Sequence, residues 1–240
     1  MSATPQNFMK VEDYFSKVDV YSKICKNNYM YHKEIFNLFK SFIENIFGKK
    51  PFNLLDLGCG EAFFMAEALR DTNINSYDGY DLSAESIEKA KSNMSNITCS
   101  KNFFMIDLSK DFLDSKNKTN YYDIIWTSYA LHHLNYDEKK RFLKKCFDKL
   151  KQNSSLILVD FVNDYTSREE CFRHYKENVE RKWIELTSED KQYLYEHVLK
   201  FDFPESFSTY KEIGEKTGFK NLKKIFQKDS WAYMMFLKSV

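Results

Sequence analysis

The chain has almost no charge of either sign left over: 36 basic residues stand against 35 acidic ones, a formal net of +1. No global field therefore draws it to nucleic acid or to an anionic membrane surface. It lacks any run approaching about 18 apolar residues, and its start lacks a basic segment followed by a long apolar one, which argues against a spanning helix and a secretory leader. The five cysteines are odd in number and show no CxxC spacing, so a disulfide framework and a structural zinc are both disfavoured. The expectation is a cytoplasmic protein with no bound metal, no membrane partner and no nucleic-acid partner. Glycine and proline are also rare, 6 and 3 residues. Beside abundant Phe, Tyr, Lys and Asn, this carries no functional meaning of its own.

Against that background, one glycine-containing stretch is the most informative feature. Phe52 to Leu57 is largely apolar and reads as a buried parallel strand. It ends in Asp56-x-Gly58-x-Gly60 and passes into Ala62-Phe-Phe-Met-Ala-Glu-Ala-Leu69, a helical pattern. Such a turn brings a ligand against backbone at a helix N-terminus. The dinucleotide fingerprint would place a third glycine where Phe63 stands, and Asp56 would repel a pyrophosphate but could pair with an ammonium group. NAD and FAD are disfavoured.

The length, 240 residues, suits one α/β domain. Residues 1–50 are helical in pattern, in two stretches, Phe8 to Ile24 and His32 to Phe47, closed by Gly48 and Pro51. Strand 52–57 then leads to helix 61–70, and strand 75–81 to a helix from Ala84 capped by Ser83. Strand 101–107 is followed by a polar loop, Ser109 to Asn120, interrupted by Phe112-Leu113. Strand 122–128 feeds helix 136–150, and 155–161 is a fifth strand. The alternation predicts a Rossmann-like, doubly wound parallel sheet. Within helix 136–150 the run Lys139-Lys140-Arg141 and Lys144-Lys145 reads as a solvated helix face.

Residues 163–205 break the rhythm with two helical patterns, Arg168 to Leu186 and one opening at the capping box Thr187-Ser-Glu-Asp190. Helix 207–217 stops at Gly218, and strands 219–227 and 231–238 should pair as an antiparallel hairpin, completing seven strands. The organisation expected is a single domain: an N-terminal helical cap (1–50), a core (51–162 and 206–240) and a helical lid insertion (163–205).

In such a sheet, ligands bind beyond the carboxyl ends of the strands. Asp56, Asp81 and Asp107 fall at three successive ends, and Asp81 follows Gly60 at about the interval at which an acid grips ribose hydroxyls. The set calls for a ligand with an ammonium, a ribose and an adenine but no phosphate.

At this point the chain resembles the class I S-adenosylmethionine-dependent methyltransferases. The residues that carry the resemblance are Leu55-Asp-Leu-Gly-Cys-Gly60, Gly79-Tyr-Asp81-Leu-Ser83, Phe104-Met-Ile-Asp107-Leu108 and Tyr122-Asp-Ile-Ile-Trp-Thr-Ser-Tyr-Ala-Leu-His-His-Leu134. The resemblance implies S-adenosyl-L-methionine as cofactor and S-adenosyl-L-homocysteine as product. It implies that Gly58 and Gly60 pass under the methionine part, Asp81 holds the ribose, Asp107 with Leu108 the adenine, and Thr127 or Ser128 lines the sulfonium side; Asp56 and Leu82 complete the expected cofactor-binding set. Ala62 departs from it, standing where many members carry a third glycine.

The fourth-strand segment lacks the Pro-Pro motif of enzymes that methylate base amino groups or glutamine, so a small-molecule acceptor methylated on O or N is expected. A tRNA or protein acceptor and a non-catalytic binding module remain alternatives. His132 and His133 are candidate bases for an acceptor that must lose a proton. Tyr29, Arg173, His174 and Trp183 are candidate substrate residues, with Tyr14 and Tyr21 on the same cap; His197 and Asp202 carry weaker signals. The acceptor and the oligomeric state stay open.

Overall fold

The structure is a computed structural model that describes residues 18–114, 119 and 121–239. Its elements follow the expected alternation. Helices α1 (Val18–Lys26) and α2 (His32–Ile46) precede β1 (Phe52–Leu57), α3 (Phe63–Leu69), β2 (Ile74–Asp81), α4 (Ala84–Asn93) and β3 (Ser100–Met105). Next come α5 (Asp111–Asp114), β4 (Tyr122–Ser128), a 3₁₀ turn (Leu131–His133), α6 (Tyr136–Lys149) and β5 (Leu150–Phe161). The chain continues with α7 (Arg168–Lys182), α8 (Ser188–Phe201), α9 (Phe207–Thr217), β6 (Asn221–Lys228) and β7 (Trp231–Lys238). The start of the first expected helix, with Tyr14, lies outside the described residues.

One seven-stranded sheet runs in the order β3-β2-β1-β4-β5-β7-β6, with β7 antiparallel to both its neighbours. β1 is buried at every position, which is why its sequence is a nearly unbroken apolar run rather than an alternating one. Its register pairs Asp56 with Gly79 on β2 and Trp126 on β4, so the carboxyl ends of the three strands sit side by side. The topology reverses between β1 and β4, the place where open α/β sheets bind ligands.

Two cores flank the sheet. On one face Ile35, Phe39, Met65, Ile87 and Trp126 pack together, so the apolar stripe of α2 closes against β4. On the other, Leu55, Ile125, Phe142, Tyr210 and Phe236 join α6 and α9 to the sheet. Burying one such side chain contributes about 1.5–3 kcal/mol. The lid helices α7 and α8 join the first core through Cys171, Val179, Trp183 and Tyr195.

Local sequence explains most boundaries. Ser83 caps α4 by accepting from the Ser86 N–H at 3.2 Å, and Thr187 forms the expected capping box with Asp190. β5 begins at Leu150 rather than Ser155, because Leu150 pairs with Tyr122 across a register shift. Lys139 corrects the solvated-face reading of α6: it is fully buried, bonded to the Phe203 carbonyl and 3.4 Å from Glu205. Among the described residues, no helix is long and apolar enough to cross a membrane.

Candidate functional site

The turn after β1 is fixed by its own backbone. The N–H groups of Gly58 and Cys59 both donate to the Tyr80 carbonyl, at 2.8 and 2.9 Å, which clamps the turn to β2. Gly58 and Gly60 have φ of 77° and 51°, a region costly for other residues. A Cβ on Gly58 would come within 2.9 Å of the Ala130 Cβ, whereas one on Gly60 would meet nothing within 4 Å. Gly58 is thus required for packing, and Gly60 faces open space. Ala62, where a third glycine is usual, adopts φ 51° and carries that conformation with a side chain.

Asp81 fastens the same turn from the next strand. Its Oδ2 accepts from the Gly60 N–H at 2.8 Å and its Oδ1 from the Ser83 N–H at 2.9 Å. Burial raises its pKa, and these backbone donors work against that rise. Asp107 accepts from the Ser109 N–H at 2.8 Å and Oγ at 2.6 Å. Partial burial opposes its charge, but Ser109 and Lys110 outweigh burial and hold its carboxyl low. Leu108 lies within van der Waals reach of a Cβ on Gly58, which ties the third strand end to the glycine turn.

Asp56 and Thr127 are the clearest pointers to a missing polar partner. Asp56 is 2% exposed; its Oδ2 accepts from the Tyr77 hydroxyl at 2.8 Å, while Oδ1 has no hydrogen-bond partner. Burial pushes its carboxyl up to about 7 against the Tyr77 hydrogen bond, with a smaller push from Asp81. Thr127 is fully buried and its hydroxyl also has no partner. Buried polar atoms are nearly always bonded, so each of these two atoms is a place where a polar ligand group would find a partner. Ser128 accepts from the Trp126 indole at 3.0 Å. These donors and acceptors fit the ammonium, ribose and adenine groups expected of the ligand.

Sequence reasoning missed His32. It is 2% exposed, stacks on Phe64 at 5.0 Å and lies 4.6 Å from the Tyr129 ring. Its Nε2 is 3.2 Å from the Tyr21 hydroxyl, and burial lowers its pKa to about 3, so the ring is neutral. Tyr129 follows β4 and Phe64 lies in the first turn of α3, so His32 ties the start of α2 to both elements. A lone histidine at a helix start gives no periodic signal.

His132 and His133 sit on the 3₁₀ turn beyond β4, turned toward carboxylates. His132 Nδ1 is 2.5 Å from Asp160, which also accepts from the Tyr210 hydroxyl at 2.8 Å. His133 Nδ1 and His197 Nε2 lie 3.1 and 3.4 Å from Asp202. Burial opposes a charge on His132, but Asp160 and Asp202 overcome it and raise its pKa; burial and the neighbouring His132 lower that of His133. Burial likewise opposes the charge on Asp202, yet the histidines hold its carboxyl far below the usual range. The weak signals at His197 and Asp202 therefore converge with the stronger ones, and Asp160, the acid ending β5, joins them.

The candidate substrate residues divide. Tyr29 stacks face to face on Trp183 at 5.1 Å and accepts from the Glu185 N–H at 2.9 Å. Trp183 is buried, so this pair fastens the lid to the cap. Arg173 is exposed and paired with Glu177 at 3.2 Å. His174 stacks on Tyr165 at 4.3 Å and lines a cavity of about 290 Å³ with Glu177, Asn178, Arg181 and Asp229.

The chain is similar in sequence and in fold to known methyltransferases. Residues 54–153 match the family model of the methyltransferase domain. The phosphoethanolamine N-methyltransferase of Plasmodium falciparum is 30% identical over 99 residues, 41% of this chain and 36% of that protein. An alpha N-terminal protein methyltransferase 1 of Dictyostelium discoideum is 30% identical over 125 residues, 50% of this chain and 44% of that protein. The chain thus spans less than half the length of either relative. The plantazolicin methyltransferase BpumL, solved in complex with SAH, superposes with a TM-score of 0.66 over 95% of this chain and 93% of its own, at 15% identity. Residues 54–153 are thus similar to the methyltransferase domain, and the chain shares its fold with a solved methyltransferase.

Proposed function

We propose that the protein transfers a methyl group from S-adenosyl-L-methionine to O or N of a small-molecule acceptor. The observation that carries the reading is the set of strand-end groups: Asp81 bonded to Gly60 of the glycine turn, with the buried Asp56 Oδ1 on β1 and Thr127 Oγ1 on β4 lacking hydrogen-bond partners among the described residues. S-adenosylmethionine supplies a methyl group on a sulfonium, an excellent leaving group. The chain then has to bind, align and exclude water. Gly58 and Gly60 let the methionine part approach the backbone, and Asp56 offers a carboxylate to its ammonium. Asp81 and Leu82 serve the ribose, Asp107 and Leu108 the adenine, and Thr127 and Ser128 the sulfonium side.

Alignment alone corresponds to effective molarities of about 10⁵–10⁸ M. A neutral amine needs no base; only an acceptor that must lose a proton would call on His132 or His133. The acceptor cavity of the reading is the one beneath α7, where His174 and Arg181 face Glu177 and Asp229. Tyr29 and Trp183 shape that side by fixing the lid.

The likeness to a methyltransferase that acts on protein N-termini supports a protein acceptor as the second reading. Incubating the protein with methyl-labelled cofactor and fractionated cell extract separates the two. Label in the metabolite fraction supports the proposal; label confined to protein or RNA overturns the small-molecule part of it.

A further inference from the structure

The densest set of ligating side chains among the described residues lies away from the glycine turn, where the 3₁₀ turn, β5 and the end of α8 meet. Three imidazoles converge on one buried carboxylate. His133 Nδ1 and His197 Nε2 are 3.1 and 3.4 Å from Asp202 Oδ1, and His132 Nε2 is 3.9 Å from Asp202 Oδ2. One ligand atom from each of His132, His133 and Asp202 lies within 4.8 Å of the others. Metal–ligand bonds of about 2.0–2.2 Å at tetrahedral angles set neighbouring ligand atoms about 3.3–3.5 Å apart. The three separations from Asp202 bracket that value, with His197 standing outside the closest trio, and 3.9 Å is beyond hydrogen-bond reach but not beyond a shared cation.

A second observation points the same way. His132 is held from behind: its Nδ1 meets Asp160 at 2.5 Å, and Asp160, itself fully buried, is fixed by the Tyr210 hydroxyl at 2.8 Å. A ligating histidine almost always gives its other ring N–H to an acceptor, a carboxylate among them, which fixes the tautomer and leaves the second nitrogen's lone pair to bind. Two buried carboxylates also supply the negative charge a divalent cation requires. The nearest ammonium, Lys139, is turned to the Phe203 carbonyl and Glu205. A nitrogen-rich set without a thiol or thioether suits zinc and its first-row neighbours rather than a soft or an all-oxygen ion.

We propose that His132, His133, His197 and Asp202 form a binding site for one zinc-class divalent cation, oriented through Asp160. The four residues form two pairs that are local in sequence, His132 with His133 and His197 with Asp202, so the site joins the end of α8 to the turn after β4. With the cation bound, His132 and His133 are ligands and not bases.

The test is made on the full chain stripped with chelator. Zinc titrated by calorimetry should bind at one equivalent, and cobalt(II) should give the intense visible bands of a tetrahedral site. Asp160→Asn should weaken zinc binding about 10–100-fold, as loss of a carboxylate behind a ligating histidine does. His197→Gln, at the partly exposed edge, should weaken it while circular dichroism stays unchanged. Re-added zinc should raise the midpoint of thermal unfolding of the wild type but not of a His133→Ala, His197→Ala double variant. Absence of stoichiometric binding, or equal binding in a folded double variant, overturns the site. S-adenosylhomocysteine titrated into the same stripped protein reads the cofactor site separately, so either proposal can fail without the other.

Discussion

The carboxylate of Asp81 accepts a hydrogen bond from the backbone N–H of Gly60 at 2.8 Å, so the acid expected to hold a ribose also holds the turn on which the methionine part would rest. Asp81→Ala removes both functions. Each charged hydrogen bond to a hydroxyl contributes about 1.5–3 kcal/mol, so affinity for S-adenosylhomocysteine should fall about 10-fold to 150-fold. Calorimetry with circular dichroism checks this, the fold being retained because Tyr80 still clamps the turn.

The two glycines should separate stability from binding. Gly58→Ala drives a methyl group to 2.9 Å from the Ala130 Cβ and should lower the thermal midpoint markedly. Gly60→Ala meets no neighbour and bears only the left-handed backbone cost, about 1–2 kcal/mol. It should stay folded while losing cofactor affinity. Thermal melts with and without S-adenosylhomocysteine distinguish the two outcomes.

Thr127→Val tests the partnerless hydroxyl. Replacing a buried group that has no partner by an apolar group of similar shape is nearly neutral or stabilising, so the ligand-free protein should lose no stability. Cofactor affinity should drop if the hydroxyl serves the ligand; an unchanged dissociation constant would remove Thr127 from the site.

Asp56 sets a pH dependence. Its folded pKa of about 7 lies above the ordinary carboxylate value, so the folded chain keeps a proton that the unfolded chain releases. The stability linked to it is fully present below about 4 and is lost as pH rises to 7. Asp56→Asn should flatten the thermal midpoint over that interval. A cofactor ammonium beside Asp56 favours the carboxylate, so binding should release protons near neutral pH in the wild type and not in this variant.

Arg181→Ala should raise KM for the acceptor more than it lowers kcat, because Arg181 lines the cavity beneath α7. Arg173→Ala should change neither, since exposed pairs such as Arg173–Glu177 contribute about 0–1 kcal/mol. Steady-state kinetics of the two variants decides.

The strand, glycine turn and helix after residue 52 were legible because their pattern is local. An apolar strand, alternating glycines and an acid at each strand end are readable as patterns, and the parallel register then sets Asp56 against Gly79, two residues before Asp81. The histidine cluster was not, because its members come from the 3₁₀ turn, β5 and the end of α8, and only the folded lid joins them. Asp160 carried the one available signal, an acid ending a strand like Asp81. Lys139 was misread because helical periodicity does not reveal that the Phe203 carbonyl and Glu205 would arrive to cover it.

The central claim is that the glycine turn and the three strand-end acids bind an adenosyl cofactor without phosphate. Calorimetric titration of the wild-type protein with S-adenosylhomocysteine tests it most directly, with NAD as the control ligand. The account predicts saturable binding of S-adenosylhomocysteine at one site per chain and no heat from NAD. Binding of NAD, or no binding of S-adenosylhomocysteine by folded protein, would contradict it.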